Sequence, residues 1–267
     1  MITIVTDSTA YFSKSEAEKL GIVCVPLIYK TNGREYLEDF GTDCTANAEF
    51  LNKSSTEEAS VAIFRDVFEK SVEKGEVLCI LISSRLSGSY HNACLAAKDF
   101  NGKVTVIDSL LTAGGLKLLI EETYNMIELA KSLKDLADKV EKIKPEFGIA
   151  FSVDNMNPLK KSGRLGFVRQ SIGSALNMKP ILKCENGTVV SKGVSRGSQD
   201  RIRKIVSFIP EDAKKIIVNC DFDNKQFEEF KAYIHEKFSK IPVEYNSLGP
   251  VLLVHLGKGV LAVSWKV

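Results

Sequence analysis

The stretch Ser83-Ser84-Arg85-Leu86-Ser87-Gly88-Ser89-Tyr90 gathers hydroxyl groups around a single glycine. It follows Val77-Leu78-Cys79-Ile80-Leu81-Ile82, an apolar run of the length and β-branched character of a buried parallel strand. It precedes His91-Asn92-Ala93-Cys94-Leu95-Ala96-Ala97-Lys98, whose small residues predict a helix with a tightly packed face. A strand-to-helix turn of this composition collects free backbone N–H groups at the positive end of a helix, which suits a phosphate or a carboxylate. The same residues also suit a plain turn with a serine N-cap. His91 lies four residues after Ser87, a spacing that shares one helix face and invites a nucleophile–base pair. A catalytic triad also needs a carboxylate on the far ring nitrogen and an oxyanion hole. The Gly-x-Ser-x-Gly elbow is missing, since Ser89 stands two positions after Ser87. A small serine hydrolase acting on acyl esters through Ser87 is therefore the alternative reading. Phosphotransfer is disfavoured, because neither a Walker loop nor Gly-x-Gly-x-x-Gly after the first strand is present.

Two more stretches carry polar residues on a glycine-rich frame. One is Leu159-Lys160-Lys161-Ser162-Gly163-Arg164-Leu165-Gly166, continuing through Gly173 to Leu176-Asn177-Met178-Lys179-Pro180-Ile181-Leu182. The other is Gly249-Pro250-Val251-Leu252-Leu253-Val254-His255-Leu256-Gly257-Lys258-Gly259. With the serine-rich turn, and with Ile4-Val5-Thr6-Asp7-Ser8 and Val106-Ile107-Asp108-Ser109, they resemble the DegV family of bacterial fatty-acid-binding proteins. The family's Ser-Ser-x-Leu-Ser-Gly-Thr-Tyr is present with Ser89 for the threonine. Its Leu-x-x-Gly-Gly-Arg is present with Ser162 for the first glycine, and its Gly-Pro-Val…His-x-Gly-x-Gly occupies 249–259. The resemblance runs essentially end to end.

The resemblance implies a long-chain fatty acid as ligand, no cofactor and no catalysis. It also implies a partner, a separate fatty-acid kinase that phosphorylates the carboxylate for phospholipid synthesis. Ser87, followed by Gly88, matches the serine that holds the carboxylate. The family's second carboxylate ligand is the threonine of Thr-Ser-Gln-Pro-Ser, and counting back from Phe64 and Phe68 puts Thr56-Glu57-Glu58-Ala59-Ser60 in its place. Thr56 and Ser60 keep the pattern, whereas Glu57 and Glu58 replace a neutral pair. Facing inward they would repel an anionic head group. The expectation is that Thr56 also caps a helix over 57–70 and that both glutamates lie on its exposed face, where acidic residues suit a first turn. His255 is expected to end an apolar strand and to line the head-group site, with Leu256 where the family usually has a threonine. On its own, a single histidine in a strand is more simply a satisfied core imidazole. Arg164, in a turn after Gly163, serves either the site or a structural ion pair. Arg196 matches a family arginine near the pocket mouth associated with the kinase, and is otherwise a solvated arginine at a helix start.

The elements that must position these residues follow from hydrophobic patterning. Short apolar runs at 2–6, 22–28, 77–82 and 104–107 read as strands, with helical patterns near 13–20, 61–74, 88–99 and 110–130. Such alternation predicts a parallel sheet with helices on both faces, and ligands bind beyond the carboxyl ends of its strands. Asp7-Ser8, Asp108-Ser109 and the 83–90 turn would all lie at that end. A serine-capped helix at 132–142 is followed by strands at 147–151, 180–184, 188–194, 215–220, 250–255 and 259–265, with Asn186-Gly187 as a hairpin signal. Helices near 197–208 and 224–238 complete this half. The fold class is therefore α/β in two domains. A parallel-sheet α/β/α domain (1–149) precedes a mixed-sheet α/β domain (150–267), with the ligand between them.

Composition narrows the classes further. The chain has 267 residues, 44% hydrophobic and 26% charged, with a net charge of +2. These values suit a globular protein and give no reason to expect nucleic acid. No apolar run approaches the ~20 residues of a membrane span, and the chain opens on a strand-like segment rather than a signal peptide. The six cysteines form no Cys-x-x-Cys pair, and the three histidines share no metal-ligand spacing. A cytoplasmic protein with reduced thiols and no metal is expected.

Overall fold

The computed structural model describes residues 1–42, 50–51, 53–165 and 178–267. Cys44 and the part of the second motif from Gly166 to Asn177 lie outside the described residues.

The alternating first half folds as its pattern demands. Strands β1 (Ile2–Asp7) and β2 (Val23–Val25) pair in parallel, as β1 does with β6 (Glu76–Leu81) and β6 with β7 (Val104–Asp108), in the order β2-β1-β6-β7. Helices α2 (Val61–Val72) and α3 (Ser89–Ala97) cover one face, burying Phe64, Phe68, Ala93 and Ala96 against Val77, Cys79 and Leu81. The other face takes α4 (Ala113–Met126) and α5 (Leu133–Ile143), whose N-cap Ser132 accepts from Asp135 N–H.

The second sheet is mixed, in the order β10-β9-β8-β13-β11-β12. It comprises β8 (Phe147–Ser152), β9 (Met178–Glu185), β10 (Thr188–Arg196), β11 (Lys215–Cys220), β12 (Val243–Ser247) and β13 (Leu261–Lys266). Only β11 and β12 pair in parallel. Asn186 and Gly187 both have positive φ, 48° and 79°, the requirement of a two-residue hairpin. Helices α7 (Gly197–Val206) and α8 (Phe227–Lys237) cover the outer face with Ile202, Ile205, Phe230 and Ile234. Helix α4 is buried from Ala113 to Ile120, Lys117 included, and its Leu116, Leu119 and Ile120 belong to one core with Ile4 and Ile80 of the first sheet and Ile149 and Ile217 of the second.

Three expectations fail. The apolar run 22–28 is two strands, not one. Pro26 offers no N–H, and β3 (Leu27–Thr31) leaves the parallel sheet to pair with β4 (Arg34–Glu38) and β5 (Ser55–Glu57) in a small antiparallel sheet. Thr56 therefore lies in β5 and caps no helix; α2 starts later, with Ser60 accepting from Ile63 N–H. The run 250–255 is helix α9 (Pro250–Leu256), not a strand. Pro250 fits the first helical turn and Gly257 ends it at φ 74°. This pairing of an N-terminal proline with a C-terminal glycine is a helix signature that a short, mostly apolar run conceals.

Candidate functional site

Three chain segments meet at the carboxyl ends of β1, β6 and β7, and two carboxylates, one buried and one half-buried, fix them there. Asp7 accepts from Thr9 N–H, Thr9 Oγ1 and Ile82 N–H, and burial raises its pKa. Asp108 accepts from Ser84 N–H, Ser84 Oγ and Leu110 N–H. Both expected Asp-Ser pairs thus tie down strand ends rather than face a ligand. Ser83 Oγ donates to the Gly187 carbonyl at 2.8 Å, joining the serine-rich turn to the hairpin of the second sheet. A Cβ at Gly187 would stand 2.4 Å from that oxygen, so this contact admits only glycine.

The turn itself ends at Gly88, the N-cap of α3, and Ser87 lies just before the helix rather than on it. Ser87 Oγ accepts from Ser89 N–H at 3.3 Å and shares a 3.0 Å hydrogen bond with Ser89 Oγ. His91 is on the helix, and its ring meets Tyr90 edge-on. Among the described residues no hydrogen bond connects Ser87 to His91 or His255. The shared-face geometry behind the hydrolase alternative does not form.

A cavity opens between this turn and the inner face of the second sheet. As folded it holds about 80 Å³ of room, less than the roughly 300–1,000 Å³ usual for small-molecule sites. The walls are apolar, with Ile82 and Leu86 from the first half, Ile149, Phe151, Val189 and Ala262 from the second sheet, and Leu252 and Leu256 from α9. Polar groups collect at one end, where Thr56, Glu57, Glu58, Ser87, Arg164 and His255 line the wall. Thr56, Arg164 and His255 also border an adjoining polar groove with Ser54, Ser55, Asn157 and Lys161. The sequence-predicted Thr56, Ser87, Arg164 and His255 therefore converge at the passage from a dry cavity to an open groove. Gly88 follows Ser87 at the helix start. Arg196 does not join them; it closes β10, is exposed, and its N–H donates to Asp200 Oδ2.

The His255 ring is the hub of the polar end. Its Nε2 lies 2.8 Å from Thr56 Oγ1, a contact between residues 199 positions apart, and its Nδ1 is buried without a partner among the described residues. Burial, with the Arg164 guanidinium in support, pushes its pKa down to about 4. The imidazole is therefore neutral near pH 7 and offers a hydrogen bond, not a charge. Arg164 donates from Nε to Leu86 O and from Nη1 to Ser162 O, so backbone carbonyls hold the guanidinium and no carboxylate of the described residues pairs with it. That departs from the structural ion pair open to it in the sequence.

The two glutamates part company. Glu57 turns its carboxylate to Lys30 Nζ, 2.7 Å away across the β3–β5 pair. Glu58, beyond the strand end, borders the cavity and packs over Gly88, where a Cβ would stand 3.0 Å from its Oε1. Both are exposed, as expected, but on a strand followed by a loop rather than on a helix face.

One residue that positions the site gave no motif. Glu38, at the end of β4, accepts from Ser8 Oγ at 2.8 Å and from Val251 N–H at 2.7 Å, fastening the first turn of the helix that carries His255. Burial, with Asp7 nearby, pushes its pKa up to about 7. Its sequence neighbours look like an exposed hairpin, so only an acidic residue on the in-facing side of a short strand could have flagged it. Among the described residues no cluster of His, Cys, Asp or Glu could hold a metal ion, and no helix is long and apolar enough to cross a membrane.

Comparison with known proteins agrees with this architecture. The model of a family described as uncharacterised proteins of the DegV family matches residues 1–267. A DegV domain-containing protein of Listeria innocua is 28% identical over 281 residues, covering 100% of this chain and 98% of that protein. A fatty-acid-binding DegV family protein from Thermus thermophilus has the same fold at a TM-score of 0.85 and 27% identity, with 100% and 99% of the two chains covered. A stearic-acid-binding protein from Eubacterium ventriosum aligns at a TM-score of 0.83 and 25% identity, with 100% and 98% covered. With sequence and fold matching from the first residue to the last, this chain belongs to the DegV family.

Proposed function

We propose that this chain is a non-enzymatic carrier of a long-chain fatty acid, held between its two α/β halves (1–149 and 150–267). The observation that carries this reading is the shape of the cavity, an apolar chamber closed at one end by Thr56, Ser87, Arg164 and His255. A tail gains about 0.8 kcal/mol per buried methylene, so ~15 carbons give a gross ~12 kcal/mol before ordering costs are subtracted. The carboxylate must find donors, since burying it unpaired is costly. The hydroxyls of Thr56 and Ser87, the free face of the Arg164 guanidinium and the Gly88 step at the start of α3 supply them. A relative's fatty-acid binding at 27% identity supports the same ligand class.

The adjoining groove supports a second clause. A head group lodged at Thr56, Arg164 and His255 is reachable from the Lys161 side. A separate fatty-acid kinase could phosphorylate the carboxylate there, yielding an acyl phosphate for phospholipid synthesis. Exposed Arg196 is free to meet that partner as a surface contact rather than as a ligand to the lipid. This reading places the protein in the cytoplasm.

Native mass spectrometry of the purified protein is the direct test. A retained fatty acid adds a fixed mass that disappears on denaturation. A chain that carries no lipid, and takes up none after incubation with long-chain fatty acids, would refute the reading.

A further inference from the structure

Glu58 brings a carboxylate to the polar end of the cavity, and nothing among the described residues pairs with it. Its neighbour Glu57 pairs with Lys30, which it shares with Glu35 at 3.2 Å. Across the polar end stands Arg164, whose donors are committed in part to Leu86 O and Ser162 O. His255 adds no charge there near pH 7. Of the unpaired charges on this wall, one is positive and one negative, so the site as folded is close to neutral. The Glu58 carboxylate lies over Gly88, next to Ser87 in the chain.

We propose that Glu58 is a specificity-determining residue of the head-group end, one that weakens the hold on a carboxylate and lets an uncharged, hydroxyl-bearing lipid of the same tail compete for the cavity. This rests on the lipid-binding reading above and names the head-group preference of that same site. The reason is Coulombic. A carboxylate set among Ser87, Thr56 and Arg164 meets a like charge at the adjacent Gly88 step. A hydroxyl head group uses the same donors and meets no such repulsion. Because Glu58 reaches solvent, water and salt screen the repulsion to a modest size. The same charge gives the bound carboxylate a direction, away from Gly88 and toward Arg164 and the outer groove.

The test compares two probes with one tail, hexadecanoic acid and hexadecanol, by displacement of a fluorescent lipid from the native chain and from Glu58→Gln. Glutamine keeps the shape over Gly88 and removes the charge. The acid should bind Glu58→Gln about threefold to tenfold more tightly, the alcohol should be unchanged, and the gain for the acid should shrink in high salt. An acid-to-alcohol affinity ratio that is the same in both proteins overturns the inference while leaving the lipid-binding reading intact. Equal gains for both probes do the same, since they would report a change of shape rather than of charge. Failure of the native chain to bind either probe overturns the lipid-binding reading and this inference with it.

Discussion

Replacing Glu38 by glutamine should change how stability depends on pH, by an amount that the structure sets. Burial is the largest influence on this carboxyl, the hydrogen bonds from Val251 N–H and Ser8 Oγ oppose it, and Asp7 adds to it. The result is a pKa of about 7 in place of the ordinary 4.5. A carboxyl whose folded pKa lies above its unfolded one holds more protons folded than unfolded between the two. Its contribution is complete below about pH 4.5 and is lost as pH rises through about 7. At about 1.36 kcal/mol per pH unit, the whole separation is worth about 3.4 kcal/mol. About 0.8 kcal/mol of this is gone by pH 5 and nearly all by pH 8, leaving roughly 2.5 kcal/mol lost between them. Glutamine does not titrate, and its amide can accept from Val251 N–H while donating to Ser8 Oγ. Urea unfolding of both proteins at pH 5, 6, 7 and 8 should therefore show the stability of Glu38→Gln, relative to native, rising by about 2.5 kcal/mol across the range. The comparison cancels the opposite contribution of His255, whose lowered pKa makes stability rise with pH between about 4 and its ordinary 6.5. A difference between the two proteins that stays constant with pH would refute the assignment of Glu38 as a buried, strained anchor of α9.

Three further outcomes test the site. Ser87→Ala should weaken fatty-acid binding by about 1.5–3 kcal/mol with the fold unchanged, the worth of a hydrogen bond to a charged group; an unaltered affinity by titration calorimetry would take Ser87 out of the head-group site. Fluorophosphonate probes should not label the protein, and acyl esters should not turn over; labelling at Ser87 that disappears in His91→Ala would restore the hydrolase alternative. Ala262, buried on β13, lines the apolar cavity, so Ala262→Leu should shift the preferred tail toward shorter chains, at about 0.8 kcal/mol per methylene excluded; a chain-length profile by native mass spectrometry that matches the native one would place the tail elsewhere.

The local pattern of the chain determines much of this protein. Runs such as Val77–Ile82 are apolar on every residue because a parallel strand under helices is buried on both faces, and Asn186-Gly187 must turn because both residues occupy positive φ. The hydroxyl-rich turn after β6 and the glycines around Arg164 and His255 carry the family resemblance, and with it Thr56, Ser87, Arg164 and His255 as a group. What these residues face is another matter, decided by partners far along the chain. Thr56 meets His255 across 199 positions, and Glu38 reaches Val251 across 213. No periodicity encodes such distances. Helix α9 looks like a strand because a short, mostly apolar run fits either backbone, and packing against β3, β5 and the helix at Asn157–Lys161 settles the choice. Thr56 looks like a helix cap because β5 has only three residues, too few for alternation to show, and it exists as a strand because β3 offers it an edge. That pairing sends Glu57 to Lys30 and leaves Glu58 over Gly88. Sequence thus supplies the chemical groups of the site, and tertiary packing supplies their charges and orientation, because burial and cross-chain neighbours act only once the chain has closed.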